Sequence, residues 1–330
     1  MNGLNLSDKR AISIIRKAIN ALNLDLRGKI ILTEVGSQNY IYTPIIPLLA
    51  GAEKVYAFTK DTSYGKACEI KDRCFHIAFS IGLADKLEVG ENILDTRWLS
   101  EADIITNSGM LRPLDKDKLI HVKDNAVIPL MFEAWEFRRE DLDLDFCRLN
   151  NIKVAGTWEN HPKIRVFDAV SALAIKMAFE AGFEVVNNKI IIWSDDHFGD
   201  QALKAFSNLG AAQCIITTDA AVLLQNIHDV DFIFIADYSE TADYSEILNV
   251  DQLLTINNTF GLVHLYGSLY ADFFLRKGIS VYPPKDGRAQ VMTYTLGHVG
   301  MHPIINLLTA GFKVGQELIL DDCTNLTQKL

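Results

Sequence analysis

The chain contains no uninterrupted apolar run of the roughly 18 residues that a transmembrane helix requires, no stripe of basic residues and no CxxC pair. The first absence argues against a membrane-spanning segment. Near the N-terminus, Ile12, Ile14, Ile15, Ala18, Ile19 and Leu22 follow a helical spacing, but Arg10, Ser13, Arg16 and Lys17 interrupt them. That stretch is amphipathic and does not read as a signal peptide. The second absence, together with a formal net charge of -10, excludes nucleic acid and anionic membrane as expected partners, because both are bound through clustered Lys and Arg. The five cysteines, Cys68, Cys74, Cys147, Cys214 and Cys323, are scattered and odd in number. They read as reduced thiols of a cytoplasmic protein, with neither a disulfide framework nor a zinc site.

What is present is an ordinary globular composition, 49% hydrophobic and 22% charged, over 330 residues, a length that suits two domains. Strands and helices alternate throughout, the pattern of parallel α/β sheets. Strands are expected at 29–33, 55–58, 87–89, 104–106, 127–130 and 153–155, with helices at 42–50 and 64–81. A helix at 164–182, apolar on most of its circumference, is expected to be buried between layers or domains. Further strands are expected at 190–193, 214–217, 232–236, 253–257 and 280–282, and a last helix at 303–318. The expected architecture is two doubly wound parallel-sheet domains, Rossmann or flavodoxin-like, with a cleft between them. Residues 1–163 plus 304–330 would form a substrate-like domain and residues 164–303 a nucleotide-binding-like domain.

The second half opens on a diagnostic stretch, KIIIWSDDHFGDQALKAFSNLG at 189–210. A buried strand, a polar turn and an amphipathic helix follow one another as in a dinucleotide-binding unit. Glycines at the first, third and sixth turn positions would give a tight turn, a close approach to the diphosphate and close helix packing. Here those positions hold Ser194, Asp196 and Gly199. The packing glycine remains, and a carboxylate stands where the diphosphate comes closest. Asp195, Asp196 and His197 would lie outside the carboxyl ends of the strands, able to hold a metal or a hydroxyl-rich ligand, or else to cap the helix; capping is the favoured reading, and no metal site is expected. Asp219 lies about 20 residues after Gly199, where an acid binds ribose hydroxyls, although acids after strands also occur in solvated loops.

Several segments together resemble the D-2-hydroxyacid dehydrogenase (formate/glycerate dehydrogenase-like) family: ADIITNSGMLRPLDKDKL at 102–119, DLDLDFCRLNNIKVAGTWENHP at 141–162, LLTINNTFGLV at 253–263 and TLGHVGMHP at 295–303. The resemblance implies NAD or NADP as cofactor, a small carbonyl or hydroxy-acid substrate and a homodimer. It places Asn258 beside the cofactor and His298 as general acid/base, a role suited to an imidazole; a turn histidine bonded to backbone is the alternative. Phe260 holds the place of the family's substrate-binding arginine, and a phenylalanine cannot clamp a carboxylate. Arg138 or Arg139 could supply that clamp from another direction, near Glu133 and Glu136, with Trp135 and Trp158 as walls; a solvated charged loop is the alternative.

A second resemblance, over residues 29–95, is to class I S-adenosylmethionine methyltransferases. The carrying segments are ILTEVGSQNY, VYAFTKD and GLADKLEVGENILD. It implies S-adenosylmethionine held by Glu34, Gly36 and Asp61, with Gln38 and Tyr40 departing from the glycines expected there. A third reading is a catalytically degenerate member that binds a ligand or a partner.

Overall fold

The computed structural model describes residues 3–239 and 242–330. The chain forms two compact units, Met1–Val166 with Gly300–Leu330, and Phe167–Val299. Unit 1 begins with α1 (Leu6–Leu22), β1 (Ile30–Glu34), α2 (Ile45–Leu49), β2 (Lys54–Thr59), α3 (Ala67–Ser80) and β3 (Leu87–Glu91). It continues through α4 (Thr96–Glu101), β4 (Ile104–Ile105), α5 (Lys116–Leu119), β5 (Val127–Pro129), α6 (Leu144–Leu149) and β6 (Lys153–Thr157). Unit 2 contains α7 (Asp168–Glu180), β7 (Lys189–Trp193), α8 (His197–Leu209), β8 (Gln213–Thr217), α9 (Ala220–Asn226) and β9 (Phe232–Ile235). It ends with α10 (Tyr244–Ile247), α11 (Val250–Ile256), β10 (Gly261–His264), α12 (Ala271–Arg276) and β11 (Val281–Tyr282). The chain then returns to unit 1 with α13 (Met301–Leu320) and β12 (Thr327–Lys329).

Both sheets are doubly wound. In unit 1 the strand order is β12-β6-β5-β4-β1-β2-β3, with β12 antiparallel to β6 and the other pairs parallel. Winding runs outward from β1 to β3 on one side and from β4 to β6 on the other, so the switch point lies between β1 and β4. Unit 2 is entirely parallel in the order β11-β10-β9-β7-β8, the flavodoxin-like order, and its switch point lies between β7 and β9. Central parallel strands are covered on both faces and need an apolar residue at every position. Ile190–Trp193 and Phe232–Ile235 meet that need, with no residue more than 3% exposed.

Two expected elements differ. Residues 253–257, expected as a strand, belong to α11 and its cap, and the neighbouring strand β10 starts only at Gly261. A short apolar run is ambiguous between strand and helix; here Asn249 accepts the Gln252 N–H at 3.4 Å and starts a helix. The helix expected at 42–50 is divided into a 3-10 turn at Gln38–Tyr42 and α2, with Pro44 at the cap position of α2. The segment expected as a buried helix at 164–182 contributes α7, which packs on α8 in unit 2. No described helix is long and apolar enough to cross a membrane.

Candidate functional site

The switch point of unit 2 is built from the turns after β7 and β9. After Trp193, buried Ser194 leads to Asp196, the N-cap of α8. One oxygen of Asp196 accepts N–H bonds from Phe198 at 2.8 Å and Gly199 at 3.4 Å and the Ser194 hydroxyl at 3.1 Å. The other accepts the Tyr238 N–H, from the turn after β9, at 3.0 Å. Burial pushes this carboxyl upward against the lowering by those bonds. A helix N-terminus offers free N–H groups and the positive end of its dipole to an anion. Asp196 supplies that anion from within the chain and ties β7 to β9 in doing so. Gly199 serves the packing role: a Cβ there would stand 2.4 Å from the Ser194 Cβ and Oγ.

Around this carboxylate stand Phe198, Tyr238 and Tyr266, with ring centroids 4.6 to 6.2 Å apart. Asp237, buried, accepts the Ser239 N–H at 2.9 Å and the hydroxyl of fully buried Tyr244. The carboxylates of Asp195, Asp196 and Asp237 come within 4.8 Å of one another; two of the three are already bound to neighbouring donors. Asp237, Tyr238 and Tyr266 were not singled out in the sequence. The signal for Asp237 is an acid closing the buried run FIFIA, whereas Asp219 is marked by its spacing from Gly199.

The other candidates are dispersed. Asp219 lies two residues beyond β8, is exposed, and caps α9 by accepting the Ala221 N–H at 2.7 Å. His197 is the exposed first residue of α8, 3.6 Å from Asp200. Asn258 and Phe260 require correction: both precede β10, at its amino end, opposite the switch point. Phe260 is 4% exposed within the hydrophobic core, and the adjacent Asn257 side chain donates to the Ile227 and Val230 carbonyls, so this segment is structural. The carboxyl end of β10 lies instead at His264, with Tyr266 beyond it. His298 is exposed in a 3-10 turn, Leu296–Val299, where its Nδ1 lies 3.1 Å from the Thr295 carbonyl and its ring 4.4 Å from that of Tyr294. With Nδ1–H donating to that carbonyl, Nε2 keeps the lone pair of the ring.

In unit 1, the three residues suited to S-adenosylmethionine are occupied by the chain itself. Buried Glu34 accepts the Met110 N–H at 2.8 Å. The Met110 sulfur in turn accepts the Lys60 N–H and the Thr59 hydroxyl, at 3.2 and 3.4 Å, so Met110 fills the switch point between β1 and β4. A Cβ at Gly36 would stand 2.8 Å from the Tyr40 Cβ. Asp61 accepts the Ala67 N–H at 2.9 Å and pairs with Lys66 at 3.2 Å. No helix N-terminus follows β1 to meet a ligand, because the chain passes into the 3-10 turn.

Beyond β5 and β6, Glu133 accepts the Glu159 N–H at 2.9 Å through one oxygen and the Trp135 indole N–H at 2.5 Å through the other. Arg138 is committed to Asp141, whose Oδ2 accepts from its Nε and Nη2 at 3.0 and 2.7 Å. Arg139 is exposed. Glu159 is buried, 7% exposed, and its carboxyl receives no hydrogen bond from any described residue. Burial first, then the charges of Glu136 and Glu133, hold it well above the ordinary 4.5 of a glutamate. Its neutral form therefore stabilises unit 1, fully below that ordinary value, and the contribution is lost as pH rises through the raised one. Between the two values wild-type stability should fall by up to about 1.4 kcal/mol per pH unit relative to Glu159→Gln. Urea midpoints for both proteins at acid and alkaline pH check this; parallel curves would refute it.

No protein-family model matches the chain, and no curated protein matches it in sequence. Its fold is that of known two-domain proteins. It is similar to a dipicolinate synthase chain from Bacillus subtilis, with 12% identity over 91% of this chain and 100% of that one and a TM-score of 0.57. It is also similar to the corresponding dipicolinate synthase chain from Bacillus halodurans, with 10% identity over 91% and 99% and a TM-score of 0.53. A third similar structure is the pyruvate reductase of Chlamydomonas reinhardtii, with 11% identity over 83% and 98% and a TM-score of 0.52. At these identities the common property is the arrangement of strands and helices, so the chain shares the two-unit α/β fold of these proteins.

Proposed function

We propose that the protein is a divergent NAD-dependent oxidoreductase acting on a small carbonyl or hydroxy-acid substrate, with its dinucleotide held by unit 2. The observation that carries this reading is the β7–Gly199–α8 unit, whose helix lies against its strand at glycine distance, followed by an exposed acid beyond β8. Asp219 is placed to accept ribose hydroxyls and would repel a 2′-phosphate, which favours NAD over NADP. The shared fold with a pyruvate reductase supports the same class. The nucleoside end suits these residues, whereas a diphosphate at the α8 N-terminus would meet Asp196. The diphosphate must therefore lie displaced from that helix end. The cofactor supplies the hydride. His298 supplies the proton: with Nδ1–H on the Thr295 carbonyl, an imidazolium donates from Nε2 to the substrate oxygen.

Calorimetric titration with NADH, NADPH and S-adenosylmethionine tests the reading. NADH should bind more tightly than NADPH; binding of S-adenosylmethionine alone would replace this proposal with the methyltransferase one. Asp196→Asn probes the displaced phosphate. An asparagine oxygen still accepts from the start of α8, and removal of the charge should tighten NADH by roughly tenfold, about 1.4 kcal/mol. Its amide nitrogen cannot accept the Tyr238 N–H, so stability should fall by about 1–3 kcal/mol. Unchanged NADH affinity would place the diphosphate away from Asp196 altogether. A second reading, a binding protein without turnover, draws on the fact that Asp196 already fills the anion position; absence of binding by all three cofactors would favour it.

A further inference from the structure

A sheet edge presents a row of unpaired N–H and C=O groups, and proteins blunt such edges with charge, proline or brevity. The two sheets end in β12 and β3, and in β11 and β8. β3 carries Glu88 and Glu91, paired with Lys54, Arg97 and Lys71. β12 has three residues, one of them Lys329, and β11 has two, followed by Pro283 and Pro284. Only β8, QCIIT, is a full five residues with neither charge nor proline. In the dinucleotide-binding order 3-2-1-4-5-6 a further strand lies outside the second one. Unit 2 stops one strand short on that side, so β8 is left at the edge.

The register fixes which groups this edge offers. Lys189 pairs with Gln213, whose N–H reaches the Asn188 carbonyl at 3.5 Å, so Gln213, Ile215 and Thr217 turn their backbone bonds toward β7. Cys214 and Ile216 turn theirs outward, and no described residue bonds those groups. Apolar side chains flank the row on both faces. Ile215 and Leu224 pack, half-buried, against the core of unit 2, while half-buried Ile216 faces α8 at Gly199.

Charge and symmetry suit this row to a second copy of the chain. At a net charge of -10, copies meet stably only where acids do not face each other. Antiparallel pairing about a two-fold axis at Ile215 sets Cys214 opposite the partner's Ile216, so the outward groups of each satisfy the other. Gln213 then stands opposite the partner's Thr217. Asp219, the only charged residue within 210–220, stands opposite the partner's Ala211, and no like charges meet.

We propose that the outer edge of β8 is a homodimer interface, at which two copies of this chain pair antiparallel and join their five-stranded sheets into one. The surface stands independently of the dinucleotide reading and is tested on the full chain without cofactor. Sedimentation equilibrium should find a dimer. Hydrogen exchange should slow at the Cys214 and Ile216 amides as protein concentration rises. Two paired variants test the register. Gln213→Lys with Thr217→Lys sets lysine against lysine at both crossings, whereas Gln213→Lys with Thr217→Glu sets lysine against glutamate. Both lose the same threonine, so they differ only in the sign of one charge. The dissociation constant should be at least roughly tenfold higher for the first variant than for the second. A wild-type chain that stays monomeric at millimolar concentration would overturn the proposal. Exchange at Cys214 and Ile216 that ignores concentration, or equal dissociation constants for the two variants, would do the same.

Discussion

Replacement of His298 by alanine should lower turnover with NADH and small 2-oxo acids by roughly 10²–10⁴-fold, the usual contribution of a positioned acid/base. The prediction follows from the orientation of the ring. Its Nδ1 is anchored by the Thr295 carbonyl at 3.1 Å and its face lies on Tyr294, so Nε2 is the atom left for a substrate. No carboxylate hydrogen-bonds to His298 among the described residues; the backbone carbonyl does the orienting. His298→Gln fills similar space without exchanging a proton and should lose as much as alanine. NADH affinity should be kept in both variants, because the proton donor acts on the substrate. Steady-state kinetics beside a cofactor titration separates these effects, and retained turnover in either variant would remove His298 from the reaction.

The second large effect is on stability. A methyl group at position 199 would stand 2.4 Å from the Ser194 Cβ and Oγ and 3.0 Å from the Ile216 Cδ1. Ser194 is 2% exposed and bonded to Asp196, so it cannot swing aside. Alanine gains up to about 1 kcal/mol of helix propensity over glycine, but overpacking of this kind costs about 1–3 kcal/mol and occasionally more. Gly199→Ala should therefore lower the urea midpoint of unit 2 with an unchanged slope. Adding Ser194→Gly removes the clashing atoms, so the double variant should be less destabilised than the sum of the two single ones. Additive losses would show that the close packing of α8 on β7 does not set the stability here.

Much of the fold was legible because covered parallel strands carry a local signature. Each of the runs IIIW, FIFI and IILT is apolar enough to be a buried strand by itself. Segment 253–257 misled because five residues with two leucines and an isoleucine satisfy strand and helix alike, and only the packing of α11 and the cap at Asn249 decide between them. That single difference moved Asn258 and Phe260 from the carboxyl end of a strand to the amino end of another. A residue's value to a site depends on which end of the sheet it reaches, and that cannot be read from composition.

By itself, the sequence determined the alternating α/β plan, the strand, turn and helix at 189–210, and the packing role of Gly199, because each depends on residues within one local segment. It could also state that Asp196 suits a helix cap. Only the tertiary structure decided that this carboxylate reaches Tyr238, 42 residues away, and closes the switch point of unit 2. In the same way Met110 enters the switch point of unit 1 against Glu34, 76 residues away. The physical reason is common to both. Strand order brings together turns that are distant in the chain, and a buried polar group takes whichever partner the sheet presents.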